Sequence, residues 1–176
     1  RPTPFKMKRR GMGLAPEDRK RQGLVQMLGI DDNISMAALG RLTTVGVLSH
    51  TREREMAART VADLQIKVAD VTLPVSSLSG GNQQKVVVGK WLNTQPKIIL
   101  FDEPTRGIDV QAKQQIFNII ADLSKKGIST IFVSSELEEL LEVCHRILVL
   151  KQGRMTDEVT PEGLWIEQLL TVSMGE

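Results

Sequence analysis

Ile98-Ile99-Leu100-Phe101-Asp102-Glu103-Pro104 is the stretch whose reading decides the fold. Its apolar run without polar alternation reads as a strand buried on both faces, as in a parallel sheet covered by helices. Proline has no N–H to give to a ladder, so the strand stops there with both acidic side chains at its lip. Two carboxylates so placed suit a Mg²⁺-nucleotide reaction, with Asp102 holding the water shell of the metal and Glu103 polarising an attacking water. The same residues also suit a strand that merely ends in acidic turn residues, and the motif alone does not choose between them.

Downstream, Gln111 to Lys126 places Ile116, Ile120 and Leu123 on one helical face, with Lys125 and Lys126 in the last turn and Gly127 at the C-terminal cap. Ile128 to Ser134 reads as a second apolar strand, Glu136 to Val143 as a helix and Arg146 to Lys151 as a third strand of the sheet. Gln152-Gly153 then turns into Arg154 to Glu158. Pro161 suits the first turn of a closing helix that carries Leu164, Trp165, Leu169 and Leu170. Strand and helix in alternation predict an α/β sheet with its active groups at the carboxyl ends of the strands.

Upstream stands Leu78-Ser79-Gly80-Gly81-Asn82-Gln83-Gln84-Lys85, a glycine-bearing turn feeding a helix. Two glycines let the backbone approach a phosphate, Ser79 offers a hydroxyl, and the helix start presents unpaired N–H groups at the positive end of its dipole. Taken alone, such a stretch is more often a flexible turn. Earlier still, Asp31, Asp32 and Asn33 are placed to cap a helix carrying Ile34, Met36 and Leu39, and Thr51 to cap another running through Met56, Val61 and Leu64. Gly11 to Gly23 reads as an extended piece broken by Pro16 and followed by a charged loop, and Arg1 to Arg10 as a ragged opening or strand remnant. His50 falls in a loop on this reading, and Cys144 with His145 at a strand start.

At 176 residues, 41% hydrophobic and 25% charged, the chain is long enough for one ordinary core with a small satellite. A net charge of +2 is too small to argue for a nucleic-acid partner, although Arg1, Lys6, Lys8, Arg9 and Arg10 crowd the start. The single cysteine cannot form an internal disulfide, and no Cys or His cluster has zinc spacing. No apolar run approaches the roughly 20 residues that span a bilayer, so a membrane role must come through a partner.

In this order the motifs resemble the ABC ATPase family. Leu78 to Gln84 is similar to the ABC signature, Ile98 to Glu103 to Walker B with its catalytic glutamate, and Arg106-Gly107-Ile108-Asp109 to the D-loop. Asn82 followed by two glutamines, Thr105-Arg106-Gly107, and the segment Pro16 to Leu24 resemble the second of two ABC domains fused in the ATP-binding subunits of monosaccharide importers; nucleoside importers are similar too. The resemblance implies a truncated P-loop NTPase sheet with flanking helices and a small helical subdomain, and it sets the segment Val86-Val87-Val88 in a helix against its strand propensity. It divides the chain into a partial core and Q-loop region over residues 1–23, a helical subdomain with the signature over 24–94, and the C-terminal part of the core over 95–176. Met27, Leu28, Met36 and Leu42 in the helical part are expected to be mainly core, with a permease-docking role open for some.

Three departures matter. No Gly-x-x-x-x-Gly-Lys-Ser/Thr occurs in the sequence, so the loop that grips ATP phosphates is missing. Glu17 stands at the position resembling the Q-loop glutamine, which puts an anion near phosphates and implies a weakened site. Ser135 stands at the position resembling the switch histidine and is too short and not basic enough to replace it. The resemblance therefore implies a division of labour, with ATP and Mg²⁺ as ligands of the whole protein. Ser79, Gly80, Gly81, Asn82 and Gln83 complete an ATP site on a partner ABC domain, while the site of this domain itself, with Glu17, Asp102, Glu103 and Ser135, is slow or mainly structural; Asp109 of the D-loop is a further nucleotide-binding residue, and the chain alone is inactive. The implied partners are the first ABC domain of the same subunit or a second ATPase copy, an integral membrane permease and, through it, a periplasmic sugar-binding protein. The implied place is the cytoplasmic side of the inner membrane, as a peripheral subunit, and self-association of the fragment is an expectation as well. A soluble ABC ATPase of repair or translation is the rival class; the coiled coil expected of repair ATPases leaves no heptad pattern between Glu17 and Leu78.

Overall fold

The computed structural model describes residues 1–174. A three-stranded sheet in the order β1-β4-β5 is formed by β1 (Met12–Ala15), β4 (Ile98–Asp102) and β5 (Ser129–Val133). β1 and β4 are parallel, with Met12 opposite Ile98 and Ala15 opposite Phe101. Their carboxyl ends coincide, so Glu17 and the Asp102–Glu103 pair leave the same edge of the sheet. Two short hairpins lie elsewhere, β2 (Thr43–Thr44) with β3 (Val47–Leu48), and β6 (Ile147–Lys151) with β7 (Arg154–Val159). The chain forms two compact units, one over Arg1–Ile131 and one from Phe132 onward.

In the first unit, α5 (Gly80–Leu92) is the organising helix, packed against β1, α2 (Ile30–Ser35) and α6 (Val110–Lys125). Val86, Val87 and Val88 are all fully buried, although three β-branched residues in succession prefer a strand. A helix buried on every side gains more from packing than it loses in propensity, and the helical expectation holds. Lys85 and Lys90 are buried on the same helix, each with its ammonium on a backbone carbonyl, of Gln65 and Gly23 respectively. α4 (His50–Asp63) packs on α2, and α3 (Leu39–Leu42) on α4.

Several local expectations are corrected. Arg1–Arg10 is not a strand remnant: Thr3 caps α1 (Pro4–Arg9) by accepting from Lys6 N–H, with Pro4 in the first turn. The charged stretch after β1 winds into a π-helical turn over Arg19–Gly23, capped by Asp18. Gly29 takes the cap position of α2, which ends at Ser35 and passes through a 3₁₀ turn over Met36–Ala38 into α3. Asn33 caps nothing. It is fully buried and braces the preceding loop, its amide donating to the carbonyls of Val25, Leu28 and Gly29 and its oxygen accepting from Val25 N–H. Ser49, not Thr51, caps α4, so His50 begins that helix and its Nδ1 lies 3.2 Å from Glu53 Oε2. Leu42 is core, whereas Met27 is 82% exposed and Leu28 is exposed as well.

In the second unit, α7 (Leu137–Val143) precedes the β6–β7 hairpin, and α8 (Ile166–Met174) closes the chain. The third apolar strand, β6, pairs with β7 rather than joining the sheet of β1, β4 and β5. α8 begins at Ile166, so Pro161 sits in the preceding turn, where its carbonyl accepts from Leu164 N–H. Cys144 ends α7, and burial pushes its thiol above the ordinary value, which argues for packing rather than reactivity.

Candidate functional site

Leaving β4, the backbone passes from Asp102 into Glu103 at a φ of +45°, a left-handed conformation that side chains other than glycine rarely adopt. Strain of this kind persists where surrounding structure enforces it, and it is concentrated at functional sites. The turn that follows is closed by Arg106 N–H on Glu103 O at 3.1 Å and Ile108 N–H on Thr105 O at 3.3 Å, around a buried Thr105. Asp109 then caps α6, accepting from Ala112 N–H at 2.9 Å. Asp102 and Glu103 are half-buried at the strand lip, where solvent or a ligand reaches them. Among the described residues no cluster of three or more His, Cys, Asp or Glu side chains forms a cage for a metal.

Ser79 caps α5, its Oγ accepting from the Asn82 side-chain amide at 3.1 Å and from Asn82 N–H at 3.5 Å. Asn82 Oδ1 in turn accepts from Lys67 N–H, and the Gln83 amide donates to the carbonyl of Leu78 at 3.1 Å, so both side chains hold the turn in shape. Both glycines sit at close approaches, and at Gly81 the approach requires one. A Cβ on Gly81 would stand 2.4 Å from Ala112 Cβ of α6, and one on Gly80 would stand 2.7 Å from Arg19 Nη2. The turn therefore lies directly against the start of α6, beside the segment that follows the acidic pair.

Glu17 follows Pro16 just after β1 and forms an ion pair with Arg106. Arg19, two residues on, donates from Nη1 to Arg106 O at 3.0 Å and from Nη2 to Gly107 O at 3.4 Å. Burial lowers the Arg19 pKa, and the adjacent Asp18 partly offsets it. Glu17 is thus a neutralised anion rather than a bare one. Of the sequence-predicted residues, Glu17, Ser79, Gly80, Gly81, Asn82, Gln83, Asp102, Glu103 and Asp109 all belong to the first unit. Ser135 belongs to the second, between β5 and α7, where its neighbour Ser134 donates to the buried Glu139 at 2.6 Å. Arg19 and Arg106 are the side chains that local reading missed as partners, because nothing in either segment signals a contact made across 87 residues.

The ABC transporter family profile matches residues 3–106, more than half of the chain. The chain belongs to the ABC transporter family. It is 44% identical over 165 residues to the ribose import ATP-binding protein of Chelativorans sp. (strain BNC1), a match that covers 94% of this chain and 33% of that protein. It is 42% identical over 174 residues to the xylose import ATP-binding protein of Pseudomonas fluorescens (strain Pf0-1), covering 99% of this chain and 34% of that one. The chain thus spans about a third of the length of these curated relatives. Among solved structures it resembles a dimeric ATP-binding cassette in a post-hydrolysis state bound to ADP and Pi, with a TM-score of 0.72 at 22% identity over 91% of this chain and 68% of that one. It likewise resembles cbiO1 of Clostridium perfringens, part of an ABC transporter complex, with a TM-score of 0.72 at 22% identity over 96% of this chain and 63% of that one. At those identities the likeness establishes the fold, an ABC ATPase core with a parallel sheet and flanking helices. Among the described residues, no helix is long and apolar enough to cross a membrane.

Proposed function

We propose that this ABC chain is part of the ATP-hydrolysing, energy-coupling subunit of an importer for a monosaccharide, and that its signature turn completes an ATP site on a partner ABC domain. The relatives named for ribose and xylose import support the substrate class, and the dimeric cassette bound to ADP and Pi supports a two-domain arrangement. The single observation that carries the reading is the glycine-bearing helix start at Ser79–Gly81. Its first-turn N–H groups and positive dipole end suit a phosphate. On this reading the phosphates are those of a nucleotide held by a partner domain, as the dimeric likeness supports.

The chain's own residues divide the work. Ser79 and the glycine backbone bind and orient the terminal phosphate of the partner's nucleotide; Asp109 fixes the start of α6 beneath them. Asp102 would hold Mg²⁺ through water, and the ion, when bound, supplies charge neutralisation of the phosphates. Glu103 is the group placed to polarise a water at this domain's own site, which on this reading is slow or mainly structural because Ser135 cannot do a histidine's work. Partners on this reading are the first ABC domain of the same subunit or a second ATPase copy, a membrane permease met at the cytoplasmic face and, through it, a periplasmic sugar-binding protein.

Ser79→Asp in the full-length subunit is the test. Aspartate keeps the cap acceptor, so unfolding should not shift, while its charge repels the incoming phosphate and turnover falls by about a hundredfold or more. Glu103→Gln should cost less. Wild-type turnover in Ser79→Asp, or a larger loss in Glu103→Gln, overturns the division of labour.

A further inference from the structure

Three charged side chains from distant parts of the chain meet where the signature turn and the turn before α6 touch. Glu17 binds Arg106, and Arg19 bridges the two successive carbonyls of Arg106 and Gly107 with separate nitrogens. The same Arg19 Nη2 fills the space that a side chain on Gly80 would occupy, and Gly107 O would stand 3.5 Å from that side chain. One planar fork is therefore wedged between the two turns while it belongs to the segment that leaves β1. Its Nε is buried without a hydrogen-bond partner among the described residues, so the outer nitrogens make the hydrogen bonds of the fork. Charges alternate across the contact, Glu17 against Arg106 and Arg19 against carbonyl dipoles, so neither arginine meets the other uncompensated.

We propose that Arg19, braced by the Glu17–Arg106 pair, is a positioning residue that fixes the spacing between the signature turn and the turn before α6 and ties both to the segment after β1. The inference rests on the reading that these turns face a partner's nucleotide, and deepens it: movement of the segment after β1 reaches both turns through one guanidinium. A lysine has the charge but not the fork, so it holds one carbonyl at a time. A side chain on Gly80 would press on the far end of the Arg19 fork, which would have to shift to admit it.

Hydrogen exchange of the full-length protein without nucleotide tests the clasp, together with steady-state ATPase kinetics. Arg19→Gln is expected to speed exchange of amides 79–82 and 104–109 about tenfold, with α2 and α4 unchanged. Arg19→Lys is expected to leave both turns about threefold faster than wild type. Glu17→Gln and Arg106→Gln each loosen 104–109, and the exchanged pair Glu17→Arg with Arg106→Glu restores protection. In turnover, Arg19→Gln lowers kcat about tenfold with KM for ATP unchanged, the mark of lost alignment rather than lost binding. Unchanged exchange at the two turns, equally faster exchange throughout the first unit, or no recovery in the exchanged pair overturns the proposal. The exchange arm needs no ATP, so its failure is distinct from failure of the ATPase reading, which would show as wild-type protein without turnover.

Discussion

Replacing Gly81 by alanine places a Cβ 2.4 Å from Ala112 Cβ, where carbons in ordinary contact stand about 3.5–4.0 Å apart. α5 and α6 must separate by roughly 1 Å, and overpacking of this size costs about 1–3 kcal/mol. Alanine at a helical position returns about 1 kcal/mol relative to glycine, which leaves a net destabilisation of about 0–2 kcal/mol. Ala112→Gly removes the obstructing atom and alone costs about 1 kcal/mol of helix propensity in α6. In the double variant the overlap is gone and the two propensity changes nearly cancel, so its stability returns to within about 0.5 kcal/mol of wild type. The singles together predict a loss of about 1–3 kcal/mol, so the coupling is about 2 kcal/mol and favourable. Urea unfolding of the four proteins measures it, with the midpoint moving at constant slope. A stabilised Gly81→Ala, or strict additivity of the two changes, would refute the close approach of the signature turn to α6.

Asn33→Ala removes one acceptor and three donor contacts from a fully buried loop brace and should cost about 2–4 kcal/mol in urea unfolding. Asn33→Asp should cost more at neutral pH, since it turns a donor toward three carbonyls into an anion. Lys90 gives a pH dependence with a definite sign. Burial holds its ammonium below the ordinary lysine value, so between the folded and unfolded pKa the unfolded chain binds more protons and stability rises with pH. The penalty is complete below the folded value and gone above the unfolded one. Lys90→Met should therefore show a shallower rise in stability from neutral pH toward about 10 than wild type, while Lys85, common to both proteins, cancels in the difference; equal slopes would contradict this.

The two motif-bearing turns were legible because each is announced locally. The run from Ile98 to Phe101 has no polar interruption and stops at Pro104, and Ser79-Gly80-Gly81 begins a helix with a cap and small residues where another helix crosses. The triplet from Val86 to Val88 shows the limit of propensity: burial on all sides decided for helix what the residues alone would have made a strand. The hairpin of β6 with β7 is legible at Gln152-Gly153, whereas whether β6 also joins the larger sheet is not, because an apolar run looks the same in either place. Caps slipped by a few residues for a similar reason, since Asp31, Asp32 and Asn33 are all competent capping residues and only tertiary structure shows that Asn33 is spent on the loop at Val25–Gly29. α1 left no periodic trace because it buries nothing. The clasp of Glu17, Arg19 and Arg106 was invisible for the deepest reason: its members carry charges typical of exposed loops, and only the fold brings the segments together.

The central claim is that the signature turn of this chain touches a nucleotide held by another domain. Photolabelling of the full-length subunit with a γ-phosphate-reactive ATP analogue, followed by peptide mapping, tests it most directly. The account predicts adducts within residues 79–83 that vanish when the phosphate loop of the partner domain is disabled and persist in Asp102→Asn; adducts that survive loss of the partner's loop, or that never reach residues 79–83, would contradict it.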